Sequence, residues 1–454
     1  MPTRRAPETT PGTRSAAPRP ARNVAAFAAA TLATALTATL TTPAPATAQE
    51  PNFGRAVVLQ GNELFVGQPV NWYGPGAVYA YGAGTDGIWE ERALLTASDS
   101  SRMDDFGRAL AVDGNTLVVG APRKRDGAGV AYAFQRPSPE APWRESAVLT
   151  PPAGEDASEF AVALALADDE LLVGAPAVAG AGVVYRYRRS GGGWALEGAI
   201  RPPVDAGVAG FGGALARDGD RLLVGAAASD SARGRVYAVE RRADGGWEEP
   251  HAVELAAGVV APGTRIGAAL ALAGERALVG APGASRVHIL ERDEAGAWRP
   301  TGMLRPEGDE RGSRFGSALA LTVGEAWVGA PGVQGGNGRV FRFAADGPGA
   351  WQPLSPVEPD DTTGTSWPLG FGYALDADGE RAVVGMPTRD FGEGRALALR
   401  REGGDWRPAG LLEGRIFTIG SALTPGARCV DGALGEFPCT NMELVAHLPV
   451  SALG

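Results

Sequence analysis

The chain has 454 residues, including 66 Gly and 35 Pro, with 44% hydrophobic residues and a formal net charge of −10. Its 10 Trp, 8 Tyr and 14 Phe exclude wholesale disorder, while two Cys and three His exclude a cysteine-stapled scaffold or a His/Cys metal cage. Setting residues 1–48 aside leaves 37 basic against 51 acidic residues, −14, which argues against nucleic acid or anionic lipid as a partner.

The N-terminus reads as an export signal. A basic, Pro-rich stretch from Met1 to Arg22 precedes an apolar Ala/Leu/Thr run from Val24 to Leu40, and Ala46-Thr47-Ala48 offers small residues at a cleavage spacing. An uncleaved membrane helix is the alternative, weakened by the Ala/Thr character of the run and the prolines after it. Residues 1–48 are therefore expected to be a signal peptide. The chain is then exported to the periplasm, the cell surface or the medium, where disulfides persist.

From residue 53 one unit is copied seven times. The copies open at Phe53-Gly54, Phe106-Gly107, Phe160-Ala161, Phe211-Gly212, Ile266-Gly267, Phe315-Gly316 and Phe371-Gly372. Fourteen residues after each opening comes a glycine: Gly67, Gly120, Gly174, Gly225, Gly280, Gly329 and Gly385. Within each copy a hairpin signal such as Asp218-Gly219 separates two short apolar runs. An alternating strand such as Val184-Tyr185-Arg186-Tyr187-Arg188 follows, and then a run led by Trp89, Trp143, Trp194, Trp247, Trp298, Trp351 or Trp406. Four antiparallel strands in each of seven copies predict an all-β, seven-bladed β-propeller over 49–413, with an open solenoid as the alternative. One blade cannot bury both its faces, so neighbours must do it.

Phe-Gly followed by Gly-Ala-Pro, clearest at Phe106-Gly107 with Gly120-Ala121-Pro122 and at Phe315-Gly316 with Gly329-Ala330-Pro331, resembles the FG-GAP repeat of integrin α-subunit propellers. The nearer likeness is to bacterial forms with a short first hairpin. The resemblance implies a propeller that binds or adheres through one face. Integrin hairpins hold calcium through a run of acids, whereas Val112-Asp113-Gly114-Asn115 or Ala377-Asp378-Gly379-Glu380 offers too few of the six to eight oxygens calcium needs. No metal and no cofactor is expected, and Asp168-Asp169-Glu170 reads as a solvated hairpin tip.

Catalytic signatures are sparse. His251, His288 and His447 are scattered, no G-x-S-x-G elbow occurs, and paired acids such as Asp104-Asp105 and Asp360-Asp361 fall in the linkers between copies. In a propeller those linkers and the loops between strands two and three emerge on one face. The candidate ligand-binding residues are therefore Trp72, Tyr73, Arg123, Lys124, Asp126, Asp230, Arg389, Asp390 and Phe391 from the loops. Asp105, Asp309, Arg311 and Trp367 join them from the linkers. The expectation is a non-enzymatic binding or adhesion module for a protein or glycan ligand, monomeric or part of a longer surface protein. The alternative is an exported propeller hydrolase or lyase acting on glycans, which would need two or more titratable groups with perturbed pKa values converging in one pocket.

After Leu412 the repeat stops. Residues 414–428 read as a linker, and 429–454 as a tail bracketed by Cys429 and Cys439, which are expected to bridge in an exported chain. The run from Gly435 to Gly454 resembles the opening of the choice-of-anchor B domain, which implies the truncated start of a second domain.

Overall fold

A computed structural model describes residues 52–414 except 71–74, 85–86, 154, 156–158, 205–206, 256–260, 309–311, 348, 360–369 and 388–393; it also describes 433–434 and 437–438. Residues 1–51, where a signal peptide is expected, residues 415–428 and both cysteines lie outside the described residues. Seven four-stranded antiparallel sheets follow one another, each built from four consecutive strands of one copy. This is the seven-bladed propeller that the repeats predict. Blade one comprises Ala56–Gln60, Glu63–Gln68, Ala77–Ala83 and Trp89–Leu95, and blade seven Ala374–Ala377, Arg381–Met386, Arg395–Glu402 and Asp405–Glu413. Blade four is the irregular one. Its outer strand shrinks to His251–Ala252, and Trp247 is held by a bridge to Arg241.

The 14-residue offset has a steric origin. A Cβ placed on the second-strand glycine of any blade would stand 2.0–2.2 Å from the carbonyl oxygen of the residue after the next blade's Phe, as Gly174 does against Gly212 and Gly225 against Gly267. Only glycine permits that approach. The opening Phe or Ile then enters the seam, no more than 1% exposed in any copy. It meets the third-strand aromatic edge-on or tilted: Phe53–Tyr79 at 5.1 Å, Phe106–Tyr132 at 5.5 Å and Phe315–Phe341 at 5.3 Å between ring centres. Full burial of such a ring contributes about 1.5–3 kcal/mol, and the edge-on pairing about 0.5–1.5 kcal/mol more. In blade five Ile266 and His288 replace the pair. Burial, and then Arg286, push the His288 imidazole down to about 4, so it packs as a neutral ring.

The ring closes by repeating the same seam. Gly385 faces the Gly54 carbonyl at 2.0 Å for an added Cβ, Phe53 bridges Gly394 in parallel, and Leu59 N donates to Asp376 Oδ2 at 2.9 Å. Further out, six blades shift register by a bulge between strands three and four, as at Ala80/Tyr81 and Ile289/Leu290. A bulge adds twist, which suits a sheet that fans outward from a narrow axis.

Buried ion pairs lock some seams. Glu170 was expected at a solvated tip, but it is 1% exposed and accepts from Arg186 of its own blade (3.0 Å) and from Arg241 of the next (2.9 Å). Arg217 lies 3.4 Å away. The hairpin tip itself is the exposed Asp168-Asp169 pair; Glu170 begins the second strand and turns inward. Glu63 joins Arg136 across the seam of blades one and two at 2.5 Å, and Glu325 joins Arg401 across that of blades six and seven at 3.2 Å.

Candidate active site

The residue after each Phe-Gly sits at the entry to a first strand, where the seven blades converge. All seven of these residues, Arg55, Arg108, Val162, Gly213, Ala268, Ser317 and Tyr373, line one cavity of about 770 Å³. Four residues that precede the Phe or Ile also line it: Glu159, Gly210, Arg265 and Arg314. Pro176, Ala177, Ala227, Ala228 and Pro282 add small walls from the loops between strands two and three. The cavity therefore lies on the face where linkers and those loops emerge.

Its charge is lopsided. Among the described residues no carboxylate stands within ion-pair distance of Arg55, Arg108, Arg265 or Arg314, and Glu159 has no cation paired to it. Elsewhere in the ring arginines are widely paired, as the environment of Glu170 illustrates. The Arg55 guanidinium lies 4.0 Å over the Tyr373 ring, with Arg314 at 5.9 Å from the same ring. Burial, followed by repulsion from Arg108, pulls Arg55 down to about 10. Guanidiniums crowded into a concave site with no carboxylate in ion-pair contact among the described residues form a standing attraction for an anion.

Backbone conformation singles out the same positions. The residue before the Phe or Ile is left-handed in six copies, with φ of 59° at Asp105, 62° at Glu159, 57° at Arg265 and 58° at Arg314, and glycine at 210 and 370. Glycine fills such a position without cost, whereas another residue costs about 1–2 kcal/mol there. Four copies nevertheless place an ionisable side chain at the turn, and three of those four line the cavity. Strain concentrated on charged residues at a concave site is a mark of function.

The structure distributes the sequence-derived candidates differently. Lys124 is buried, not displayed on the face, because its ammonium pairs with Asp104 at 2.7 Å and approaches Asp99 at 3.5 Å. Asp105 is also buried, 3.3 Å from Arg123. Burial is the larger influence on its carboxyl, which it raises, and Oδ1 has no hydrogen-bond partner. Arg123 and Asp126 are exposed, and Asp230 is held by Arg235 at 2.7 Å. Trp72, Tyr73, Asp309, Arg311, Trp367, Arg389, Asp390 and Phe391 lie outside the described residues, as does the expected Cys429–Cys439 bridge. The cavity's own residues escaped the sequence reading because attention went to the long loops. The signal was the divergence of the residues flanking Phe-Gly, where the repeat is otherwise rigid.

An FG-GAP repeat family model matches residues 89–134, from the last strand of blade one through the third strand of blade two. No curated protein matches significantly. Among solved structures, the Pseudomonas aeruginosa periplasmic gluconolactonase aligns with a TM-score of 0.51 at 15% identity, covering 80% of this chain and 95% of that one. A candidate 6-phosphogluconolactonase of Bacteroides fragilis aligns with a TM-score of 0.51 at 10% identity, covering 81% and 95%. A Lactobacillus plantarum protein aligns with a TM-score of 0.51 at 15% identity, covering 74% and 91%. At such identities the likeness carries the fold. The expectation of a non-enzymatic binding or adhesion module is corrected here by these neighbours, of which one is a gluconolactonase and another a candidate 6-phosphogluconolactonase. A carboxylate and four guanidiniums do converge in one cavity, and among them the Arg55 guanidinium is the one whose pKa is perturbed, lowered by burial. Among the described residues no helix is long and apolar enough to cross a membrane.

Proposed function

Because the chain is an FG-GAP repeat β-propeller with an arginine-lined cavity on its axis, we propose that it is an exported hydrolase that opens the cyclic ester of sugar-acid lactones. The observation that carries this reading is the presence of Glu159 in the same cavity as four guanidiniums, with no ion pair made by any of the five among the described residues. Lactone opening needs a base for water and positive charge where the carbonyl oxygen becomes an anion. Glu159 belongs to blade three and Arg108 to blade two, so the base and one cation come from neighbouring blades, with Arg55 next in order.

In this mechanism Glu159 takes a proton from a water molecule as the water oxygen bonds to the lactone carbonyl carbon. Arg108 and Arg55 hold the resulting oxyanion. Collapse restores the carbonyl and breaks the ring C–O bond, and the proton on Glu159 passes to the departing alkoxide. The product is a hydroxy acid, whose carboxyl proton is released to solvent. An oxyanion donor of this kind is worth roughly 3–4 kcal/mol of the barrier, and a positioned base about 10²–10⁴ in rate.

Export is supported by the basic, apolar and small-residue order of 1–48, and by the periplasmic location of the Pseudomonas aeruginosa gluconolactonase that shares the fold. Proton release during opening of gluconolactone by the purified 49–454 chain tests the activity. Glu159→Gln should lower kcat by about 10²–10⁴ with a smaller change in KM. A wild-type chain no faster than spontaneous opening would overturn the proposal.

A further inference from the structure

Resting on the lactonase reading, we propose that the substrate carries a second, permanent anionic group at the far end of the sugar, a carboxylate or a phosphate, and that Arg265 and Arg314 select for it. The cationic groups form two arcs. Arg55 and Arg108 come from blades one and two beside Glu159, whereas Arg265 and Arg314 come from blades five and six. Gly210 and Gly213 of blade four separate the arcs on one side, and on the other Tyr373 of blade seven lies between them, its ring centre 4.0 Å from Arg55 and 5.9 Å from Arg314.

A neutral lactone uses charge only transiently, at one oxygen, and Arg55 with Arg108 already serves that oxygen. The second arc then has no role in a neutral reaction, although it is maintained against two costs. Both residues hold left-handed backbone, at φ 57° and 58°, where glycine serves other copies. Both are exposed at the cavity wall with no carboxylate to neutralise them among the described residues. A guanidinium presents a planar fork of donors that fits a carboxylate or phosphate in two-point contact, and two forks on adjacent blades suit one such group. Positive charge at the mouth of a concave site also raises the capture rate of anionic substrates in a salt-dependent way.

The test compares wild type with the Arg265→Ala/Arg314→Ala double variant on three lactones: neutral gluconolactone, its 6-phosphate and a glucarolactone. Titration calorimetry with glucarate and inorganic phosphate serves as a probe of binding without turnover. Wild type should favour at least one anionic lactone over the neutral one by tenfold or more in kcat/KM. The double variant should lose that preference by about 10–100-fold, the range expected for charge-assisted hydrogen bonds, and Arg265→Lys/Arg314→Lys should recover part of it. Which anionic lactone is preferred tells carboxylate from phosphate. Equal turnover of neutral and anionic lactones by wild type would overturn the selection while leaving the hydrolase reading intact. If no lactone is opened but glucarate or phosphate binding weakens tenfold in the double variant, the anion site stands and the hydrolase reading falls. Unchanged binding of both probes in a cooperatively folded double variant would overturn the site itself.

Discussion

The blade seams and the cavity mouth are built from adjacent positions of the same repeat, yet they obey opposite rules. At the seam the Phe and the glycine 14 residues later recur because a carbonyl oxygen lies where a Cβ would be. One residue away on either side, backbone position is just as fixed while the side chain runs through Arg, Glu, Val, Gly, Ala, Ser and Tyr. Seam groups are buried and largely paired; the charged groups at the mouth make no ion pair among the described residues. A repeat fold of this kind separates stability from chemistry at the resolution of a single residue, and each substitution below probes one side of that division.

The largest effect is expected at the seam. Gly225→Val places a side chain 2.1 Å from the Gly267 carbonyl oxygen, and a loss above about 4 kcal/mol or failure to unfold cooperatively should follow in urea denaturation. The control is Gly219→Ala at the open hairpin, φ 56° with nothing near, which should cost only about 1–2 kcal/mol. Equal losses at the two sites would erase the steric account of the offset. Glu170→Ala comes next. It strands Arg186, Arg217 and Arg241 around a missing carboxylate and should cost about 3–5 kcal/mol by the same measurement.

Asp376 gives a smaller effect with a pH signature. Burial pushes its carboxyl up to about 6, in a channel whose other first-strand lining is mostly Ala, Leu and Val, although Leu59 N and Ala377 N both donate to it. Asp378 raises it further, and Arg217 is the cation lining the same channel. A carboxyl raised in the folded state is penalised when ionised. Its contribution therefore worsens as pH rises from about 4 through 6 and recovers on acidification. Asp376→Asn should gain roughly 1–3 kcal/mol above pH 7 relative to its effect near pH 4, followed by thermal unfolding across that range. Smallest is Arg55→Gln, which relieves repulsion with Arg108 but gives up the stacking on Tyr373. Its melting temperature should rise or hold, within about 1 kcal/mol, while anion binding weakens.

The fold was legible because its causes are local and repeated. Seven openings, five of them Phe-Gly, with seven glycines at one offset report a contact that geometry permits only to glycine, and the Trp-led runs report the outer strands. The site was legible only in part. Linkers and strand two–three loops do share the cavity's face, but prominence in those loops misled: Lys124 is a buried partner of Asp104. Arg55, Arg108, Glu159, Arg265 and Arg314 stand far apart in sequence, each beside a conspicuous Phe or Ile. Their convergence depends on the ring closing. Glu170 was missed for a related reason, since its arginine partners include residues of the following blade.

The division between seam and mouth is tested most directly by titrating gluconate 6-phosphate into wild type, into Arg55→Ala/Arg108→Ala and into a seam-side control, Arg241→Ala, with melting temperature recorded for each. The account predicts that the cavity pair weakens binding by about 10–100-fold with little change in melting temperature, and that Arg241→Ala lowers melting temperature and leaves binding within about twofold. Equal binding by wild type and the cavity double variant would contradict it.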